Sequence, residues 1–455
     1  MAVLLGIIKP VFWGLLTLSV LVFVHEGGHF LAARACGVRV TEFFLGLPCR
    51  FNVHHVSQRI GTKFGVTPLL LGGYAAICGM DPTDVACAPE VLTSVHRHGR
   101  ITIDELAQEL DVSSDEALDA CALLSGWGSI VPVYELEAGE SPQSGYYPST
   151  YAAASRDAQG FTLLDGRKFD RGSATDEGDP WTGFASSSSF YQQERAATYI
   201  GKGFFKRAFM LLAGICVNIL VGLLLMMSVY SLIGVSVAVD SNVIGSVDAG
   251  SVADRAGIEP GDAIVRIAGH KVSTWMELVD SLEDQGSSSS FQLDYRHGGR
   301  VRSVNVKLGK SGKLGIAARV EAVRLPPIQS LQVSCNYIAA TAQGVANLLV
   351  PQHTKEILDN STSIVGISVM SSEAADAGVS SYLMFAGLIS LSLGFMNLLP
   401  IPPLDGGKLI IEVIQALLHR ELSLKVQNIV SLIGVGLFAV LFIYMLRADI
   451  LRFIL

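Results

Sequence analysis

The chain has 455 residues, enough for two or three domains. Half of them are hydrophobic and only 16% are charged, and the mean hydropathy of +0.44 excludes an ordinary soluble protein in favour of a polytopic membrane protein with soluble parts. A formal net charge of −8 argues against nucleic acid as the main partner, and seven cysteines without a C-x-x-C pair indicate neither a zinc ribbon nor a disulfide framework, so a reduced chain is expected.

Residues 1–80 begin with an apolar segment from about Leu5 to Ala35, interrupted by Lys9 and by His25-Glu26-Gly27-Gly28-His29. A segment of this length crosses a bilayer of about 30 Å as a helix. Ionisable side chains are costly there and rare without a function. On a helix His25 and His29 share a face and can ligate one Zn²⁺, with Glu26 beside them as general base. A signal peptide does not carry such residues in its apolar region, and no convincing cleavage site follows. The competing reading is a buried soluble helix with a chance motif match.

Residues 81–140 read as a cytoplasmic α/β insertion. Ile101 to Leu110 is an amphipathic helix, Asp111 to Ser114 a turn and cap, Asp115 to Leu124 a second helix, and Ile130 to Tyr134 a strand. Helix, tight turn, helix and strand resemble a small winged-helix unit. DNA binding needs a basic recognition helix. Instead Asp104, Glu105, Glu109, Asp111, Asp115, Glu116, Asp119, Glu135, Glu137 and Glu140 are acidic, and 101–140 holds no Lys or Arg. No nucleic-acid partner is expected; a protein partner or regulatory role is preferred over a passive insert. Residues 141–198, rich in Ser, Gly and Tyr, read as a flexible linker.

The second span lies in 199–237, from Phe204 to Val237, behind Lys202, Lys206 and Arg207. Residues 238–322 read as short strands with a helix at Thr274 to Glu283 and a hairpin over Phe291 to Leu308 turning at Gly298-Gly299. Residues 323–381 contain an amphipathic stretch, Ser330 to Leu349, and the apolar Ile364 to Val369, expected at the membrane surface. Residues 382–455 hold the third and fourth spans, about Tyr382 to Leu399 and Val426 to Leu446. Lys202, Lys206, Arg207, Lys408, Arg420 and Lys425 place their flanks in the cytoplasm, so 238–381 lies outside. The third span closes on Asn397-Leu-Leu-Pro-Ile-Pro-Pro-Leu-Asp405-Gly406-Gly407. Prolines at 400, 402 and 403 break the helix, and Asp405 offers the third ligand that a catalytic zinc site takes. Alternatively Asp405 is the N-cap of a helix leaving the membrane.

Together, HEGGH at 25–29 and NLLPIPPLDGG at 397–407 resemble the site-2 protease family of intramembrane zinc metalloproteases, its RseP-type branch above all. Gly72-Gly73-Tyr74, Ala213-Gly214 and Asn218 also match, as does a PDZ-like domain between the two halves of the site. The resemblance covers 1–80 and 195–455. It implies one catalytic Zn²⁺ on His25, His29 and Asp405, with Glu26 activating water and Asn397 and Asn218 near the substrate or transition state. Thr62 to Tyr74 would be a membrane-associated β-hairpin that holds the substrate. The implied fold is a polytopic α-helical membrane protein of about four transmembrane helices, with one extracytoplasmic PDZ-like α+β domain and the cytoplasmic insertion. The implied substrate is a single-pass transmembrane protein in the bacterial cytoplasmic membrane, an anti-sigma factor already cut outside. Two departures stand out: Ile215 replaces a proline usual after Ala-Gly, and one PDZ-like domain is found rather than two. A zinc-binding membrane scaffold without turnover, with a PDZ peptide-binding domain, is the alternative; a metal transporter is disfavoured because the ionisable groups cluster at one place.

Overall fold

The computed structural model describes residues 2–80, 85–134, 147–285, 290–308, 313–420 and 422–453. They divide into two compact units, Met1–Leu225 with Ser334–Leu455, and Met226–Val333. Among the described residues four helical stretches are long and apolar enough to cross a membrane: Ile8–Ala35, Phe204–Ile233, Val379–Asn397 and Lys425–Arg452. The protein is a multi-pass membrane protein.

Helix α1 (Ala2–Ala35) carries the HEGGH segment and leads into β1 (Val40–Leu45), β2 (Val53–Val56), β3 (Lys63–Val66) and β4 (Gly73–Ile77). The sheet order is β2-β3-β1-β4, with β3 parallel and β4 antiparallel to β1. Thr62 to Tyr74 therefore does not pair with itself as a hairpin. Its two strands lie on opposite sides of β1, while β2 and β3 form the antiparallel pair. The sheet presses on α1 because Phe43 stacks against Phe23 and Phe30, with centroids 4.6 and 5.0 Å apart. Ser19 Oγ donates to the Leu70 carbonyl, which brings the loop before β4 beside the middle of the first span.

The insertion contains α2 (Ala88–His98), β5 (Arg100–Thr102), α3 (Ile103–Leu110), α4 (Ser114–Gly126), β6 (Ile130–Val133), β7 (Thr150–Ala153) and α5 (Ser187–Ala196). Its sheet runs β5-β7-β6, all antiparallel. Helix α3 starts at Ile103 rather than Ile101 because Thr102 and Glu105 close a capping box, and Ser113 with Glu116 does the same for α4. Residues 147–198 are no flexible linker. Tyr151, Trp181 and Phe190 join Leu92, Leu106, Leu124 and Trp127 in one core, and Ser186 caps α5 through the Ser189 amide. Large apolar side chains there bury enough surface to offset ordering a Ser/Gly-rich backbone. Residues 135–146, with Glu135, Glu137 and Glu140, lie outside the described residues; the other seven predicted acids are exposed.

A buried ionic network fastens this insertion to the end of α1. Arg39 binds Asp165 with two hydrogen bonds of 2.8 and 2.7 Å, and Glu194 with two of 2.6 and 3.1 Å. Glu194 also accepts from both terminal nitrogens of Arg156, at 2.6 and 2.9 Å, and from Ser129 Oγ at 2.5 Å. Burial pushes the Glu194 pKa up, but Arg156 and then Arg39 hold it well below the usual carboxylate range. Nearby, burial first and Arg156 second push His96 down to about 3. Above pH ~6.5 this costs nothing. Below it the unfolded chain binds a proton that folded His96 refuses, so stability falls by about 1.4 kcal/mol per pH unit until about pH 3. Tryptophan-fluorescence melts of the full-length protein between pH 7 and 4 are expected to show that slope, and His96→Gln to flatten it. Glu194→Ala, which strips Arg39 and Arg156 of a shared partner, is expected to destabilise the insertion by about 3–5 kcal/mol.

Helix α6 (Phe204–Ser228) ends in a π turn over Val229–Ile233. The span stops short of Val237 because β8 (Val235–Ala238) pairs with a later strand. The second unit continues with β9 (Ile244–Val247), α7 (Val252–Arg255), β10 (Ala263–Ile267), β11 (His270–Lys271), α8 (Trp275–Gln285), β12 (Ser290–His297), β13 (Arg300–Lys307), β14 (Ile316–Ala318) and β15 (Val320–Val323). Sheets β11-β10-β12-β13, β14-β9 and β15-β8 surround a core of Ile244, Ile258, Ile264, Leu278, Leu293 and Tyr295. Gly298 and Gly299 both have positive φ, 55° and 85°, as a two-residue turn between twisted strands requires.

The chain closes with α9 (Pro327–Asn347), α10 (Pro351–Asn360), α11 (Ile364–Asp376), α12 (Val379–Asn397), α13 (Asp405–Leu418) and α14 (Leu424–Phe453). Helix α11 does not lie on a surface. A Cβ at Gly14 would stand 2.1 Å from Ser368 Oγ, and Ser371 Oγ donates to Thr17 Oγ1 at 3.2 Å. Its N-terminus is capped by the buried Asp449 of α14, which accepts from the Ser363 and Gly366 amides at 2.6 and 3.0 Å. Small and hydroxylic residues permit this close packing among apolar helices.

Candidate metal centre

Three ligand atoms converge from two ends of the chain. Asp405 Oδ2 lies 3.1 Å from His25 Nε2 and 3.1 Å from His29 Nε2, and the two Nε2 atoms are 3.1 Å apart. Ligands about 2.0–2.1 Å from one tetrahedral Zn²⁺ stand about 3.3 Å from each other, so this spacing fits the ion. Three protein donors leave the fourth position open.

The neighbouring helices make room for it. A Cβ at Gly28 would meet the Ala213 carbonyl oxygen at 2.7 Å, so α1 and α6 touch backbone to backbone there. A Cβ at Gly214 would stand 2.4 Å from His29 Nε2 and 2.8 Å from His25 Cε1. Any side chain at 214 would fill the space where the ligand nitrogens meet. Helix α12 also approaches α6 closely: a Cβ at Gly394 would lie 3.3 Å from the Ile215 carbonyl oxygen, and Ser390 Oγ donates to the Asn218 carbonyl at 2.8 Å.

The other ring nitrogens are held by α6. His29 Nδ1 donates to the Met210 carbonyl at 2.7 Å, which leaves the Nε2 lone pair free for a metal. The side-chain amide of Asn218, fully buried, lies 3.3 Å from His25 Nδ1. Amide oxygen and nitrogen are isosteric. With Oδ1 turned to the ring, His25 Nδ1–H donates to it and Nε2 again faces the metal; in the opposite orientation Oδ1 is buried without a partner. Asn218 thus touches a ligand's back rather than the open face.

Asp405 is the first residue of α13, with Leu404 as N-cap, so the alternative of Asp405 as the cap does not hold. The turn from α12 folds tightly over it, since Cβ atoms at Gly406 and Gly407 would lie 2.2 Å from the Leu398 carbonyl oxygen and from Pro402 N. Asn397 ends α12 and donates to the Leu393 carbonyl at 3.0 Å. Gly72 and Gly73 meet α1 at Val22 and Phe23, just before His25, and only a glycine-sized residue fits between Phe23 and the Phe44 carbonyl oxygen, 2.8 Å from a Cβ at 73. Tyr74 stacks on Phe44 and donates to Glu42 Oε2 at 2.8 Å. Glu26 follows His25 on α1 and is half-buried. Gly214 entered the sequence reading only within the Ala213-Gly214 match, with no role at the site, and the Met210 carbonyl was missed because its part depends on backbone geometry.

Apolar membrane helices around a His/His/Asp cluster that starts from an H-E-x-x-H helix define a membrane-embedded zinc metalloprotease. The chain belongs to peptidase family M50, the site-2 proteases, whose family model matches residues 13–441. It is similar to the zinc metalloprotease RasP of Geobacillus kaustophilus, 26% identical over 452 residues that cover 96% of each chain. It is also similar to the RasP of Shouchella clausii, 25% identical over 448 residues, 95% of this chain and 96% of that one. The family implies a Zn²⁺ cofactor, and the donor set His25, His29 and Asp405 fits it.

Gly214→Ala is expected to lower the zinc content of the purified protein well below one per chain, read by elemental analysis beside a melting curve. Full zinc occupancy in that variant would contradict the clearance argument.

Proposed function

We propose that His25, His29 and Asp405 hold the catalytic Zn²⁺, and that Glu26 is the general base for hydrolysis of a peptide bond inside the transmembrane segment of a single-pass membrane protein. The observation that carries this reading is the convergence of the three ligand atoms between α1, α6 and the start of α13. When bound, zinc supplies Lewis-acid chemistry, polarising the scissile carbonyl and making water more acidic. Glu26 takes the water proton and passes it to the leaving amide nitrogen. Asn218 and the Met210 carbonyl keep both imidazoles in the ligating tautomer.

A transmembrane helix hides its carbonyls in its own hydrogen bonds, so the substrate must unwind before attack. Strand β4, with Gly73 and Tyr74 and with Gly72 just before it, is an edge strand pressed on α1 near the ligands, and edge strands accept extended peptides by strand addition. We assign it and Asn397 the holding of the unwound segment. The Met226–Val333 unit serves as the PDZ-like domain, taking a trimmed peptide end or rejecting untrimmed substrates by size. Helices α2, α3 and α4 with strands β5, β6 and β7 follow a winged-helix order, and their exposed acidic surface favours a protein partner over nucleic acid. The resemblance points to the bacterial cytoplasmic membrane and to an anti-sigma factor cut first outside. The lipid bilayer is the solvent of the reaction.

Glu26→Gln is expected to keep zinc at full stoichiometry while abolishing cleavage of a transmembrane reporter in proteoliposomes. Cleavage surviving that change removes Glu26 from its role; no cleavage by the unaltered protein of any transmembrane reporter favours the silent zinc scaffold.

A further inference from the structure

We infer that Glu412, held by Arg207 and Tyr199, is the positioning unit that keeps Asp405 against His25 and His29. This rests on reading those three residues as the zinc ligands.

Helix α13 brings Asp405 to the site; the tight turn at Gly406 and Gly407 holds its start, and Leu409 packs against the core of α1 and α6. Beyond its first turn the only buried residue is Glu412, 8% exposed. The opposite side is apolar and exposed at Ile410, Val413, Ile414 and Leu417. Residues seven apart on a helix return to nearly the same face, so Glu412 lies under Asp405, about 10 Å along the axis.

The partners of Glu412 belong to the elements that fix the histidines. Tyr199 OH donates to Glu412 Oε1 at 3.1 Å, and Arg207 Nη2 stands 3.2 Å from Oε2. Arg207 lies on α6 one turn before Met210, whose carbonyl takes the His29 Nδ1–H bond. Tyr199 donates its backbone N–H to the Cys78 carbonyl at 2.8 Å, directly after β4, and sits in the core cluster that joins Ala32 and Ala33 of α1 to Met210 and Ala213 of α6. One carboxylate therefore ties the third ligand's helix to the frame of the other two.

A buried charge is a poor way to gain stability, because desolvation offsets much of the attraction. A leucine at 412 would pack as well. What the carboxylate adds is direction: a hydrogen bond from Tyr199 on one oxygen and the Arg207 charge beside the other fix the rotation and the height of α13, whereas an apolar contact lets a helix slide. Metal ligands need placement within about 0.5 Å, so register is the scarce quantity here.

The test uses full-length protein in detergent, stripped of metal and titrated with Zn²⁺ against a competing chelator, with the apo melting curve recorded for each variant. Glu412→Gln is expected to weaken zinc binding by about 10- to 100-fold, the size typical of groups that orient ligands, with the apo melt little changed and kcat recovering at saturating zinc. Tyr199→Phe weakens it less. The exchange Arg207→Glu with Glu412→Arg restores part of the affinity lost in either single variant. Unchanged zinc affinity in both Glu412→Gln and Tyr199→Phe overturns the inference, as does an affinity loss that follows the apo melt and is not restored by the exchange. Asp405→Ala separates the two levels. Zinc kept at full affinity there sinks the ligand reading itself, whereas zinc lost there but unaffected by the Glu412 variants sinks only the positioning role.

Discussion

Two helices can bring ligands to one metal only if the helix packed beside them leaves an empty place where those ligands point. Here that place is Gly214, whose missing side chain stands within 2.4 Å of His29 Nε2. The backbone contact between Gly28 and Ala213 sets the spacing, and the spacing decides the rest. At that distance the Met210 carbonyl reaches His29 and Asn218 reaches His25, so one helix face both makes room for the ligands and orients them. Among apolar helices the hydrophobic effect gives little direction. Small residues and a few hydrogen bonds must supply it, as Gly222, Ser390 and Gly394 do between α6 and α12.

The cluster of His25, His29 and Asp405 was legible because its chemistry is local. Histidines four apart on an apolar helix, and an aspartate behind three prolines, announce a site without any knowledge of packing. The back of the site was not legible in the same way. Gly214 matters through its distance to another helix, and that distance depends on every contact between them. Asn218 was read toward the substrate, yet it faces the rear of His25. Composition misled at 141–198: many Ser and Gly residues outweighed Trp181, Phe190 and the Arg156–Glu194 pair, which together close a core. Similarly the apolar Ile364 to Val369 was read as a surface segment, although α11 packs on α1, with Ser371 bonded to Thr17 and Ser368 beside Gly14. The expected hairpin failed because β1, twenty residues earlier, intervenes between its strands.

The insertion interrupts the membrane bundle but does not hang from it loosely. Arg39, four residues past the end of α1, is shared between Asp165 and Glu194, and Arg34 on the last turn of α1 donates to the Leu164 carbonyl at 2.5 Å. Leu164 is in turn seated where Cβ atoms at Gly61 and Gly128 would come within 3.0 and 2.3 Å of it. The helix with the two histidines thus ends in a joint made of ion pairs and a half-buried leucine, and not in a flexible turn. The segment leaving the insertion carries Tyr199, so both ends of the inserted domain touch the frame of the metal site.

His25 and Asp405 are separated by 380 residues. A ribosome adding about 5–20 residues per second needs roughly 20–80 s to travel that distance. During this interval α1 has already entered the bilayer, holding two imidazoles and a carboxylate but no third donor. Until then the cluster that fits a zinc ion is incomplete. Because Asp405 follows the insertion and the Met226–Val333 unit in the chain, the His/His/Asp cluster is complete only after both have been made.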